Sequence, residues 1–306
     1  MKKEYSVLMS VYQKENPEYL RAALSSIFHQ TVPPTEVVLV CDGPLTDALN
    51  KVVSEYKSCY SKDTPWTAQT DMDNRVTPDE KQDMPGTVFR VVRLAENGGL
   101  GKALNEGLRH CTCEWIARMD TDDLAAPDRC ERQLRYLEKH PDVDALSGTI
   151  AEFQGDALDV QMAEKAVTSY KTVPQTPEEI SRYIKQRNPI NHPCVMFKKS
   201  SVELSGGYQP CPYFEDYDLW VRMYRDHAVF ANLPDTLLYM RVNGMHQRRG
   251  GIQYAKHIVE FRMKMYRYQV ITFGEFLPMT LARVFVSLMP NGVRKYLYDK
   301  TLRKHK

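Results

Sequence analysis

Three carboxylates crowd the segment Met119-Asp120-Thr121-Asp122-Asp123, directly after the apolar run Glu114-Trp115-Ile116-Ala117-Arg118-Met119. Like charges this close repel unless a cation sits among them. Hard divalent ions such as Mg²⁺ or Mn²⁺ suit them, because these ions take oxygen ligands, keep several waters and share carboxylates with substrate phosphates. In an extended segment Asp120 and Asp122 point the same way, which makes them candidate metal and diphosphate ligands. The plainer alternative is an acidic turn in which Asp123 caps the next helix. A second acidic pair, Glu215-Asp216, opens a helical pattern carrying Leu219, Trp220, Met223 and Tyr224. It reads either as an N-terminal acidic cap or, in a partly closed pocket, as a catalytic base, for which Asp216 is the candidate.

Asn97-Gly98-Gly99-Leu100-Gly101-Lys102 precedes a helix but matches neither the G-x-x-x-x-G-K-[ST] nor the G-x-G-x-x-G spacing. Its glycines permit close backbone approach, and Lys102 could meet an anion. Arg248 and Arg249, beside Gly250-Gly251, suit a diphosphate, and His246 is an optional metal ligand. The other histidine of note, in Asn191-His192-Pro193, reads as a packed or surface residue.

These residues need a frame that gathers them. Tyr5 to Val11, Glu36 to Cys41, Val88 to Leu94 and Glu114 to Met119 are short apolar runs that read as buried strands. Between them lie helical patterns. The first opens on Asn16-Pro17 with Leu20, Ala23, Leu24, Ile27 and Phe28 on one face, the second covers residues near 46–57, and the third carries Leu100, Ala103, Leu104, Gly107 and Leu108. Strands without alternation, separated by amphipathic helices, predict a mostly parallel α/β sheet covered on both faces. Ligands bind such sheets at the carboxyl ends of the strands. Ser10, Val11 and Tyr12, then Asp42, then Asp120 each fall at such an end and should converge on one crevice.

Residues 57–87 form a polar insertion with Pro65, Pro78 and Pro85, read as a long surface loop. After Asp120 a helix opens at Pro127, followed by mixed strands, including Cys194 to Phe197 and Thr236 to Val242, and short helices. Residues 251–306 read as a helical C-terminal extension with a basic tail. Its apolar side, Phe273, Phe276, Leu277, Leu281, Val284, Phe285, Leu288 and Met289, either packs on the catalytic domain or meets a membrane surface.

The 306 residues are 42% hydrophobic and 26% charged, enough for a sizeable core and against disorder. A net charge of +2 argues against a nucleic-acid partner. The start of the chain has no signal-peptide pattern, and the longest apolar candidate, Val270 to Met289, is interrupted by Glu275 and Arg283. Seven cysteines without C-x-x-C spacing point to free thiols in a reducing cytoplasm, and Cys111-Thr112-Cys113 is too close for a zinc half-site.

The opening Ser6 to Tyr12, Leu20 to Thr31, Glu36 to Gly43, Asn97 to Gly107, Asp120 to Asp123 and Glu215-Asp216 together resemble the inverting glycosyltransferases of family 2, with bacterial exopolysaccharide and O-antigen assembly enzymes as the nearest flavour. The resemblance runs through most of residues 5–250. It implies a GT-A fold over residues 1–250, with a nucleotide-binding half of about residues 1–123 and an acceptor half of about 124–250. It also implies a nucleoside-diphosphate-sugar donor, UDP by family habit, and Mn²⁺ or Mg²⁺. By position, Ser10 to Tyr12 would line base and ribose, and Asp42 would pair with the base edge. Asn97, Lys102, Thr121, Arg248 and Arg249 would complete the donor site. Asp120 would contact the ribose or a metal-held water, Asp122 would bind the metal, and Asp216, with Glu215 beside it, would deprotonate the acceptor. A glycan or lipid-linked sugar would be the acceptor, and the enzyme would work in the cytoplasm or peripherally on the inner face of its membrane. Two other readings keep the same residues: a sugar nucleotidyltransferase, and a non-catalytic subunit that binds nucleotide-sugars or glycans.

Overall fold

The structure, a computed structural model, describes residues 4–60, 86–243, 250–290 and 292 and the backbone of Lys304 and His305. The first part of the chain alternates strictly: β1 (Tyr5–Val11), α1 (Pro17–Phe28), β2 (Glu36–Cys41), α2 (Asp47–Cys59), β3 (Val88–Arg93), α3 (Leu100–His110) and β4 (Trp115–Arg118). Asn16 caps α1 by accepting the Glu18 N–H at 2.9 Å, and Pro17 fills the first helical position, as the sequence predicts. Four parallel strands lie in the order β3-β2-β1-β4. Chain order reverses between β1 and β4, so the crevice of an open α/β sheet falls beside the ends of those two strands.

The rest of the chain is less regular: β5 (Leu124–Ala125), α4 (Arg129–Lys139), β6 (Ala145–Phe153), α5 (Val160–Lys165), β7 (Val167–Lys171), α6 (Pro177–Tyr183), a 3₁₀ turn (His192–Cys194), β8 (Met196–Lys198), α7 (Lys199–Leu204), α8 (Glu215–Arg225), β9 (Phe230–Arg241), α9 (Ile252–Arg267), α10 (Phe273–Leu288) and β10 (Lys304–His305). Beyond β4 the sheet turns antiparallel through β8, β6, β7 and β10, while β9 runs parallel to β6 and pairs antiparallel with β5. The parallel expectation thus describes the first half, and the second half makes the sheet mixed.

Successive sheet residues enter opposite cores. Val7, Met9, Val37 and Leu39 pack with Leu24, Phe28 and Val52 of α1 and α2, whereas Leu8, Val38 and Val40 pack with Leu104 and Leu108 of α3, Trp220 of α8 and Phe261 of α9. Burial on both faces explains why these strands carry no polar alternation. At Gly107 an added Cβ would lie 2.3 Å from Leu8 Cδ1 and 2.8 Å from Val40 Cγ2, so the glycine is what lets α3 sit this close to the sheet.

Four local expectations are corrected. Helix α2 runs to Cys59, and Tyr60 stacks on Phe28 with centroids 4.0 Å apart, so the insertion begins later than residue 57; residues 61–85 lie outside the described residues. Helix α4 starts at Arg129, because Asp128 has non-helical backbone angles. The strand expected from Cys194 starts at Met196, after the 3₁₀ turn that holds Pro193. Finally, Lys304 and His305 pair antiparallel with Tyr170 and Ser169 of β7, where a helical tail was expected.

Candidate active site

The candidate site begins at the carboxyl ends of β1 and β2. Val11 is fully buried, Ser10 and Tyr12 are half-buried, and the Val11 carbonyl accepts the Asp42 N–H at 2.8 Å. The Asp42 carboxylate accepts the Gly98 N–H on Oδ1 at 2.7 Å and the Gly99 N–H on Oδ2 at 3.0 Å. It therefore braces the turn into α3, where the amides at the helix N-terminus favour an anion. Asn97 is exposed and donates from Nδ2 to the Asp42 carbonyl at 3.3 Å. Gly43, with φ +84°, makes this packing possible, since a Cβ there would sit 2.7 Å from the Asn97 nitrogen. Lys102 is exposed, with its aliphatic stem folded beside Gly98.

At the end of β4, the buried Arg118 grips Asp120 with both guanidinium nitrogens, Nη1 to Oδ2 at 2.8 Å and Nη2 to Oδ1. Thr121 Oγ1 donates to the Ser10 carbonyl at 3.2 Å, tying the β4 end to the β1 end. Burial and then the charge of Asp120 push the Asp122 carboxyl up to about 6. Asp123 is buried and its pKa too is raised well above the ordinary value, by burial and then by Asp122 and Asp120; its Oδ1 accepts the Arg241 N–H at 2.9 Å. Its Oδ2 has no hydrogen-bond partner among the described residues. Arg241, at the end of β9, donates to the Asp122 carbonyl at 3.1 Å and the Ala157 carbonyl at 2.7 Å, and stacks 3.7 Å over the Tyr19 ring. The acidic turn is thus enclosed by two arginines.

Tyr208 joins this turn to the acids of α8. Its backbone is held by Asn105 of α3, which accepts the Tyr208 N–H at 2.8 Å and donates to its carbonyl at 2.7 Å. Its hydroxyl is bonded to His192 Nε2 at 2.8 Å. Burial, foremost, drives the His192 pKa well below its ordinary value, so that ring is neutral. Burial likewise raises the Tyr208 pKa; Arg118 opposes the shift, and Asp216 and Asp120 add to it. One buried hydroxyl therefore feels both Asp120 and Asp216. In the first turn of α8, Asp216 accepts from Asn188 Nδ2 at 2.7 Å and from the Tyr217 N–H at 2.8 Å, and burial raises the Glu215 pKa. The buried Asp218–Arg222 pair, 2.9 Å apart, positions the preceding loop, because Arg222 also donates to the Ser205 carbonyl and, at 2.7 Å, to the Gly207 carbonyl.

Contacts thus tie the β1 end to Thr121, and Asp42 to Asn97 and the Gly98 and Gly99 amides, while a Cβ added at Gly101 in the first turn of α3 would lie 3.5 Å from Tyr208 Cβ and 3.9 Å from Glu215 Cγ; Lys102 is exposed on the same helix. His246, Arg248 and Arg249 lie outside the described residues. Among the described residues no group of three or more His, Cys, Asp or Glu side chains is gathered for a metal. Arg118, Asn105, Asn188, Tyr208 and Arg241 have structural parts at the site that the sequence reading did not single out. His192, read as a packed or surface residue, is buried, and it also bonds the Tyr208 hydroxyl.

The family model described as "Glycosyl transferase family 2" matches residues 6–67 and 73–204. Three relatives align over nearly their whole lengths. An uncharacterized glycosyltransferase of Haemophilus influenzae is 38% identical, covering 98% of this chain and 100% of its own. The amylovoran biosynthesis glycosyltransferase AmsE of Erwinia amylovora is 35% identical over 97% and 98%. The UDP-Gal:alpha-D-GlcNAc-diphosphoundecaprenol beta-1,3-galactosyltransferase of Escherichia coli is 33% identical over 98% and 97%. Among solved structures, S. aureus TarS 1-349 in complex with UDP-GlcNAc is similar in fold, with a TM-score of 0.63 at 18% identity over 98% of this chain and 76% of that one. So is the mannosyltransferase PcManGT of Pyrobaculum calidifontis in complex with GDP-Man and Mn²⁺, with 0.59 at 19% identity over 97% and 75%. The chain belongs to glycosyltransferase family 2. It is a glycosyltransferase with a GT-A fold and a helical C-terminal extension.

Proposed function

We propose that the protein is an inverting glycosyltransferase that moves a sugar from a nucleoside-diphosphate donor, UDP-linked, to a hydroxyl of a polyprenyl-diphosphate-linked glycan in surface-polysaccharide assembly. The observation that carries this reading is that the start of α3, where the Gly98 and Gly99 amides hold Asp42, also meets the acidic start of α8: a Cβ at Gly101 would lie 3.5 Å from Tyr208 Cβ and 3.9 Å from Glu215 Cγ. The β1 end, Asp42 and the Asn97–Gly99 turn bind base and ribose. Asp120, held by Arg118, and Asp122 face the diphosphate. Asp216 accepts the proton of the acceptor hydroxyl as its oxygen bonds to the anomeric carbon and the bond to the diphosphate breaks. A single displacement of this kind inverts the anomeric centre, through an oxocarbenium-like transition state.

The residues fit a divalent ion: Asp122 carries charge that its buried surroundings disfavour, and such ions need only one or two carboxylates when phosphate oxygens complete their shell. Both oxygens of Asp120 are already engaged by Arg118, which makes Asp122 the principal ligand. Mn²⁺ or Mg²⁺ bound there would offset the charge that develops on the departing diphosphate. The nucleotidyltransferase alternative gives Asp216 no task, and a binding subunit would show no turnover.

The polyprenyl acceptor is supported by the E. coli relative's name and by α10, which exposes Phe273, Leu277, Leu281, Phe285 and Leu288 at helical spacing. No described helix is long and apolar enough to cross a membrane; the reading is of peripheral contact, through the exposed apolar face of α10, on the cytoplasmic side. The test is a panel of nucleotide-sugars offered with a polyprenyl-diphosphate-linked sugar, with and without Mn²⁺ or Mg²⁺. Acceptor-dependent release of nucleoside diphosphate with a glycosylated lipid product supports the reading; release of pyrophosphate, or no turnover with any donor, contradicts it.

A further inference from the structure

Asp216 is oriented by a residue far from it in the chain. Asn188, between α6 and the 3₁₀ turn, donates from Nδ2 to Asp216 Oδ2 at 2.7 Å, while its own Oδ1 accepts the Ile190 N–H at 3.1 Å. The second bond decides which end of the amide faces the carboxylate, since a flipped amide would set two acceptors against each other and leave the Ile190 N–H without its acceptor. Pro189 and Ile190 are buried, and the Pro189 carbonyl accepts from Asn232 Nδ2 at 3.0 Å, so the loop that presents Asn188 is anchored in the core. From the other side, the Tyr217 N–H takes Asp216 Oδ1 at 2.8 Å. Two donors, one per oxygen, fix the plane of the carboxylate and leave its other lone pairs for a third partner.

We infer that Asn188 is a positioning residue for proton transfer, setting the angle at which Asp216 meets the acceptor hydroxyl. The inference rests on the reading of Asp216 as the base. Misplacing a reacting group by about an ångström can cost about 100-fold in rate, whereas the side-chain hydrogen bonds of Asn188 among the described residues go to Asp216 and Ile190 and none goes to Asp42 or Asp120. Asn188 therefore acts on kcat and not on donor binding.

The experiment compares Asn188→Ala, Asn188→Gln and Asn188→Asp with wild type and with Asp216→Asn, reading kcat, donor KM, the pH profile of kcat and the melting temperature. Asn188→Ala is expected to lose about 10–100-fold in kcat with donor KM unchanged, and Asn188→Gln, which keeps the amide, to recover part of it. Asn188→Asp places a second carboxylate against Asp216, which also faces Glu215 and the Tyr208 hydroxyl; two acids at that distance share a proton, and the acidic limb of the profile moves to higher pH. If Asn188→Ala fails to fold, the Asn188→Gln and Asn188→Asp comparisons still decide. Wild-type kcat in Asn188→Ala, equal losses in Asn188→Ala and Asn188→Gln, or an unmoved acidic limb in Asn188→Asp overturns the inference. Turnover that survives Asp216→Asn overturns the base reading instead, whatever Asn188 does.

Discussion

Arg118 holds Asp120 across a single intervening residue, with Nη1 to Oδ2 at 2.8 Å and Nη2 bonded to Oδ1, from a position that is almost fully buried. A planar fork of this kind fixes both oxygens of a carboxylate. It also supplies positive charge beneath an acidic turn in which burial, foremost, disfavours the charged forms of Asp122 and Asp123. Arg118 thereby distinguishes the acids: Asp120 is oriented by the protein, which on the proposed reading leaves Asp122 for a cation.

Arg118→Lys keeps the charge and loses the fork, because an ammonium cannot bind both oxygens in the same geometry. Donor affinity is expected to weaken about tenfold, equivalent to about 1.4 kcal/mol. Calorimetric titration of the nucleoside diphosphate with metal present checks this. Unchanged affinity would mean that Asp120 needs no such orientation.

Glu36 anchors the opposite end of the sheet and predicts an acid-side loss of stability. Burial disfavours its charge, but the Thr112 N–H at 2.5 Å, the hydroxyls of Ser6 at 2.7 Å and Thr112 at 2.9 Å, and Arg90 outweigh that and hold the carboxyl below its usual value. A lowered pKa in the folded state means that the unfolded chain binds more protons at acidic pH, so this stabilisation is complete above the unfolded value of about 4.3 and declines as pH falls through the folded value. Glu36→Gln should lose about 1.5–3 kcal/mol near neutral pH and show a flatter decline below about pH 4.3. Urea unfolding at a series of pH values measures both. Parallel curves for the two proteins would contradict the assignment.

On α10, Leu281 and Phe285 are 60% and 67% exposed, one helical turn apart. Inserting such side chains into an interface is worth about 1.5–3 kcal/mol each. Leu281→Asp/Phe285→Asp should therefore lower partitioning onto anionic phospholipid vesicles by more than tenfold, without changing turnover on a water-soluble acceptor analogue. Vesicle co-sedimentation equal to wild type would remove the membrane role of this face.

The parallel half of the fold was legible because its signals are local. Continuous apolar strands, the Asn16-Pro17 cap and the spacing of Leu100, Ala103, Leu104 and Leu108 each specify an element within one turn or strand. The positions of the candidate residues were legible where they fall at strand ends, as at Asp42 and Asp120, or in a helix's first turn, as at Asp216. Arg118 was read as part of an apolar strand, since nothing local marks a strand residue that folds back on its second neighbour. Asn105 and Asn188 escaped because their partners, Tyr208 and Asp216, are distant in sequence, and an asparagine in a helix or loop reads the same with or without such a partner. Asp42 shows the converse. Its place at a strand end was evident, but its hold on the Gly98 and Gly99 amides depends on a turn that only the folded chain brings back to it.

Donor binding and proton acceptance reside on separate carboxylates in this account, and one paired measurement tests that division. Nucleoside-diphosphate affinity and rate of sugar transfer are measured in the presence of metal for wild type, Asp216→Asn and Asp122→Ala. Asp216→Asn should lose about 100- to 10,000-fold in transfer rate while binding the nucleotide as tightly as wild type, and Asp122→Ala should lose the metal-dependent part of binding. Near-normal transfer by Asp216→Asn, or metal-dependent nucleotide affinity that survives Asp122→Ala intact, would contradict it.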